Sequence, residues 1–216
     1  MKFALHAVLL SALPLIAASA NASGLSIHVT DSQGKALGDA VVYAQPENGQ
    51  APFKSVQATQ NAEIEQKNLT FIPTVSVVQT GSRITFPNHD KVRHHIYSFS
   101  PAKRFDQKLY SGESAAPQIF DKAGTVVLGC NIHDGMLAYI KVVDTPYFAK
   151  TNSTGDALLE APAGKYILKI WHYNMTAKEP MTQSIQIRAG ETPPSTIKIA
   201  LKRILVDSNT AVNADY

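Results

Sequence analysis

Apolar and polar residues alternate with a period of two over most of the chain, in short runs rich in β-branched and aromatic side chains. No long stretch repeats its apolar positions at the three-to-four spacing of a helix. Leu25 to Thr30 and Ala40 to Ala44 read as strands around the polar turn Asp31-Ser32-Gln33-Gly34, and Pro46-Glu47-Asn48-Gly49 and Ser153-Thr154-Gly155-Asp156 are further turn signals. Val126, Leu128 and Cys130 share one strand face, and Met136, Ala138, Ile140 and Val142 share a face of the next, so Cys130 and Met136 can both point inward. The pattern predicts an all-β protein of antiparallel strands in sandwiches or a barrel, with helix a minor component.

The ends of the chain change where this chemistry is expected to operate. Lys2 is followed by an apolar run from Ala4 to Ala18 and the small residues Ala20-Asn21-Ala22, the pattern of a secretory signal peptide cleaved after Ala20 or Ala22. The run contains Pro14 and is shorter than the roughly 20 residues a spanning helix needs. The expectation is a periplasmic protein with no membrane span after signal removal, a signal peptide at 1–22 and a disordered polar tail at 206–216. Without Lys2 the chain has 19 basic and 17 acidic residues, a net charge too small to suggest nucleic acid. With Cys130 as its single cysteine it can form no internal disulfide, so the thiol needs another explanation.

Three regions separate. Residues 24–48 and 147–203 are plain strands, and residues 66–143 hold the unusual chemistry. Residues 26–44, and later Thr151 to Gly155 with Pro162-Ala163-Gly164-Lys165-Tyr166 and the strand after it, resemble the opening and closing of the carboxypeptidase regulatory-like, transthyretin-type β-sandwich. That resemblance implies one small sandwich made from both outer regions, with the middle region inserted into it, because neither piece alone buries a two-sheet core.

Cys130-Asn131-Ile132-His133-Asp134-Gly135-Met136 spaces a thiol, an imidazole and a thioether as Cys-x-x-His-x-x-Met. One thiolate, two histidines and a weak axial methionine are the ligands of a blue-copper centre, so one more histidine is required. The segment from Gly81 to Ile96 offers His89, His94 and His95, and strand parity does not choose, because Ile96 shares the face of His94 while Tyr97 and Phe99 share that of His95.

This segment, Gly81-Ser82-Arg83-Ile84-Thr85-Phe86-Pro87-Asn88-His89-Asp90-Lys91-Val92-Arg93-His94, resembles the cupredoxin run Gly-x-x-Val-x-Phe-x-Asn-x-Asp-x-x-x-His. Phe71 to Val77 resembles the strand before it, Phe120 to Thr125 is similar to the approach to the cysteine in plastocyanin, and the Cys-x-x-His-x-x-Met spacing is that of amicyanin. The resemblance implies a Greek-key cupredoxin sandwich, with His94, Cys130, His133 and Met136 binding one mononuclear type 1 copper. It also implies single-electron transfer rather than catalysis, and partners such as periplasmic c-type cytochromes or dehydrogenases, including those of methylamine oxidation. The histidine and cysteine sets of multicopper oxidases are missing. His95 and Asn131 stand where the family carries Asn and Ser or Thr, which gives the His95 ring an expected outer role, hydrogen-bonding Asn131 across the site.

Gly129 is expected to leave room for solvent, and His89 to be a turn residue or a further metal position. His28 and His172 are expected to be structural or solvent-facing, and Trp171-His172-Tyr173 to be ordinary strand chemistry. Lys91, Arg93, Lys103, Arg104 and Lys108 outnumber Asp90, Asp106 and Glu113, which reads as a solvated face or, around a copper site, as a surface for an acidic redox partner. Two other functions remain open on the sequence: copper storage or delivery, and a metal-free structural or interaction module.

Overall fold

The computed structural model describes residues 23–49, 61–110, 116–190 and 192–202. The segments 1–22 and 206–216, read above as a signal peptide and a tail, lie outside the described residues. Seventeen strands and no helix occur among the described residues. In chain order they are β1 (Ser23–Asp31), β2 (Val41–Pro46), β3 (Asn61–Glu63), β4 (Glu65–Lys67), β5 (Thr70–Ile72), β6 (Val75–Gln79), β7 (Ser82–Thr85), β8 (His94–Ser100) and β9 (Lys103–Tyr110). They continue as β10 (Gln118–Phe120), β11 (Gly124–Cys130), β12 (Leu137–Val143), β13 (Phe148–Lys150), β14 (Asp156–Ala161), β15 (Gly164–Trp171), β16 (Met181–Ile187) and β17 (Thr192–Ile199).

The strands form two sandwiches. The outer one stacks the sheet β14-β1-β17 on the sheet β13-β2-β15-β16, so strands from the two ends of the described chain pair directly. Its core gathers the inward positions of these strands, among them Ile27, Val29, Val42, Leu159, Leu168 and Ile170. Each such fully buried side chain contributes roughly 1.5–3 kcal/mol. The Pro-x-Gly-x-Tyr turn closes on itself: the Tyr166 hydroxyl donates to the Pro162 carbonyl at 2.9 Å. Thr151 staples the β1–β2 connection, accepting from the Ala40 N–H at 2.9 Å and donating to the Leu37 carbonyl at 2.8 Å.

The inner sandwich stacks β10-β7-β3 on β6-β12-β11-β8-β9, with the hairpin β4-β5 closing one end. Phe71, Phe86, Phe120, Ile64, Ile96 and Leu128 are its largest fully buried side chains. Among the described residues this sandwich also takes in Asn61 to Ile64, ahead of the expected bound at 66: β3 pairs in parallel with β7, and Ile64 belongs to this core.

One wall serves both sandwiches. On β12, Ala138, Ile140 and Val142 enter the inner core, while Tyr139 and Val143 pack with Val75 and Val77 of β6 into the outer one. Tyr139 stacks on Tyr173 at 4.7 Å between ring centroids. Lys141, on the same face of β12 and buried, has its ammonium 5.3 Å from the Trp171 ring centroid and 6.0 Å from that of Tyr43. Burial pushes the pKa of Lys141 below the usual lysine range, against the pull of Glu179. Gln45 donates to Asp144 at 2.6 Å, and Lys150 reaches both the Val75 carbonyl at 2.8 Å and Asp39 at 2.7 Å.

His28 is half-buried and paired with Asp156 at 2.7 Å, whereas His172 is buried, its Nδ1 accepting the Asn174 N–H at 3.2 Å. Burial pushes the His172 imidazole below its ordinary pKa, outweighing Asp39 and the Gly38 backbone. The folded state therefore binds fewer protons here than the unfolded chain, so stability from this group is full above about pH 6.5 and falls as pH drops toward the lowered folded value. Urea unfolding between pH 7.5 and 5 checks this: the midpoint falls on acidification, and His172→Gln flattens the fall.

Candidate metal centre

Three side chains from two separate loops meet at one end of the inner sandwich. His94 opens β8, Cys130 ends β11, and His133 lies in the turn between β11 and β12. His94 Nδ1 and His133 Nδ1 are 3.1 Å apart, and Cys130 Sγ lies 3.7 Å from the first and 3.6 Å from the second. The two rings meet edge to face at 4.8 Å between centroids. Among the described residues this is the group of His, Cys, Asp and Glu donors that converges closely enough to hold a metal ion.

Local structure explains the convergence. The turn after β11 is tight: the Cys130 N–H donates to the Met136 carbonyl at 3.2 Å, and Gly135 takes the left-handed conformation, φ +77°, that other residues resist. Cys130 and Met136 thus leave and re-enter the sheet side by side, both buried in the inner core. His133, between them, is half-buried, so it faces both the cluster and the protein surface.

The other loop is braced by its own polar side chains. Asn88 donates to the Val92 carbonyl at 2.9 Å and accepts the Asp90 N–H at 2.9 Å. Asp90 takes the Asn68 N–H at 2.6 Å and the Leu69 N–H at 3.1 Å, both from the β4–β5 turn, and its Oδ2 lies 2.8 Å from His94 Nε2. Burial pushes the Asp90 carboxyl up, but the His94 ring and these two N–H groups outweigh it and hold it below the usual carboxylate range. His94 is fully buried, and an unpaired polar group there would cost about 1–3 kcal/mol, so the Asp90 contact is needed for the fold as well as for the site.

The remaining expected site residues fall elsewhere. The His95 ring pairs with Asp106 across β8 and β9, at a bulge where Lys108 and Leu109 together oppose His95. It therefore does not reach across the site to the Asn131 side chain; the contact between the two residues is Asn131 N–H to the His95 carbonyl, 3.0 Å. His89 points outward to Glu65 at 2.8 Å. At Gly129 the Tyr97 ring fills the place a side chain would take, and both residues line a shallow surface cavity with Phe99, Val127 and Leu137. Asp90, matched to the Asp of the cupredoxin run and counted among the acids of a basic stretch, was given no role at the site, although its place four residues before His94 was a signal.

No family model matches the chain, and no curated protein matches it. Among solved structures the chain is similar to a purple cupredoxin from Nitrosopumilus maritimus (20% identity, 38% of this chain and 99% of that one, TM-score 0.35). It is similar also to amicyanin from Paracoccus versutus (14%, 43% and 88%, 0.36) and to a copper-containing nitrite reductase from Thermus scotoductus (23%, 39% and 22%, 0.37). The chain spans less than a quarter of that reductase's length.

A Cβ at position 129 would lie 2.7 Å from Tyr97 Cζ and 2.8 Å from its hydroxyl. Gly129→Ala should therefore lower the unfolding free energy by about 1–3 kcal/mol, and Tyr97→Ala in the same chain should relieve most of that loss. Additive losses in urea titrations of the two single variants and the double variant would refute this packing.

Proposed function

We propose that the chain is a cupredoxin-type copper protein that carries single electrons, in which His94, Cys130 and His133 would be the principal ligands and Met136 a weaker one. The observation behind this reading is the donor set: two imidazole nitrogens and one thiol sulfur within 3.7 Å of one another, against an apolar core that also holds Met136. Soft sulfur with imidazole suits copper, whereas calcium or magnesium would need oxygen donors. The residues present therefore fit the group. Copper bound there would supply reversible one-electron chemistry.

The protein's own part is to hold the donors rigidly, to exclude water from His94 and Cys130, and to present the half-buried His133 beside the exposed Ile132 as the contact edge for a partner. His89 and His95, which a delivery protein could use as transfer ligands, are engaged by Glu65 and Asp106. We place the work in the periplasm, from the secretory pattern at the N-terminus, with c-type cytochromes or a dehydrogenase as partners and with no substrate transformed.

Anaerobic Cu(II) titration followed by visible spectroscopy tests the reading. One equivalent should bind with a thiolate-to-copper charge-transfer band. Cys130→Ser should abolish the band, and Met136→Leu should keep it with a shifted reduction potential. Equal copper content and an unchanged spectrum in Cys130→Ser would sink the assignment, and colourless Cu(I) binding with easy release would favour delivery.

A further inference from the structure

We infer that Asp90 is a positioning residue that presets the His94 ring for the metal and, through its charge, favours the more oxidised ion. The inference rests on the copper reading above and deepens it. A carboxylate can only accept hydrogen bonds, and both oxygens of Asp90 are used: Oδ1 by the Asn68 N–H at 2.6 Å, Oδ2 by the Leu69 N–H at 3.1 Å and by His94 Nε2 at 2.8 Å. Nε2 therefore carries the ring proton. The lone pair of His94 is left on Nδ1, the atom that lies 3.1 Å from His133 Nδ1 and 3.7 Å from Cys130 Sγ. Without this acceptor a neutral imidazole has two tautomers, of which one places a proton where the metal would sit.

The carboxylate is itself held in place. Asn68 and Leu69, in succession, adopt left-handed backbone at φ 55° and 57°, which turns both N–H groups onto Asp90, and Asn88 fixes the Asp90 backbone from the other side. The β4–β5 hairpin, far in sequence from Cys130 and His133, thus acts on the site through one side chain. A carboxylate hydrogen-bonded to a ligating histidine raises its basicity, and losing such a partner typically lowers metal affinity about 10–100-fold. The negative charge stabilises a dipositive ion more than a monopositive one, so neutralising Asp90 should weaken Cu(II) binding more than Cu(I) binding.

Two measurements on the purified chain test this. In the copper-loaded protein, Asp90→Asn should keep the charge-transfer band and raise the reduction potential, by about 59 mV for each tenfold loss of Cu(II) over Cu(I) affinity. Asp90→Glu, which keeps the charge, should bring the potential back toward that of the unsubstituted protein. In the metal-free protein, at a pH where the ring is neutral, two-bond proton–nitrogen NMR should show His94 as the Nε2–H tautomer, and Asp90→Ala should mix the tautomers. An unchanged potential in folded, copper-loaded Asp90→Asn would overturn the inference, as would an Asp90→Glu shift as large as that of Asp90→Asn. A neutral His94 ring that carries its single proton on Nδ1 in the metal-free chain would do the same. Should the unsubstituted chain take up no copper, the proposed function fails, and the NMR result alone then decides whether Asp90 presets the ring.

Discussion

Strand β12 is buried on both faces, and the rest of the molecule is arranged around that constraint. A strand that feeds two cores must carry apolar groups at nearly every position, since its alternate side chains face opposite ways. The sequence meets this with Ala138, Ile140 and Val142 on one side and Tyr139 and Val143 on the other. Lys141 is the exception. It is accommodated between the rings of Tyr43 and Trp171 and by a bond to Thr125 at 3.2 Å, which recover only part of the cost of its burial. Because β12 begins directly after Met136, the geometry of the candidate site is fixed to the same wall that carries the outer sandwich.

The site illustrates how polar chemistry survives in an apolar core. His94 has no exposed surface, and Cys130 and Met136 have almost none. Two of the donors are tied to different parts of the inner sandwich, His94 to the hairpin through Asp90, and Cys130 to Met136, just ahead of β12, through a backbone bond. The only ring of the three donors with a view of solvent is that of His133. A largely dry cluster with one accessible edge would suit the electron exchange proposed above, because little would have to reorganise when charge changes.

Much of this was legible in the sequence, and for physical reasons. Period-two alternation marked the buried faces of β11 and β12, and the short Cys-x-x-His-x-x-Met spacing follows from a tight turn between paired strands. What escaped were contacts set by strand neighbours distant in the chain. The alternation of β8 could not tell the core face from its reverse, because Tyr97 and Phe99 are as apolar as Ile96. In the structure Phe99 is 75% exposed while Ile96 is fully buried. The partnership of Gly129 with Tyr97 depends on the register of β11 against β8, and that of His95 with Asp106 on a bulge in β9; neither register nor bulge is written in local composition.

The antiparallel pairing of β2 with β13 carries a further consequence, for the order in which the chain assembles. Tyr43 sits opposite Phe148, more than a hundred positions later, and everything from β3 to β12 pairs only within the inner sandwich. During synthesis the inner unit is complete before β13 to β17 exist, and compact units fold as they emerge. Once folded, it holds the two ends of its own segment close together, and the long loop that the outer sheet must close becomes effectively short. A lesion in the inner core would then show itself as failure of the outer sheet to zip, in residues that the lesion never touched.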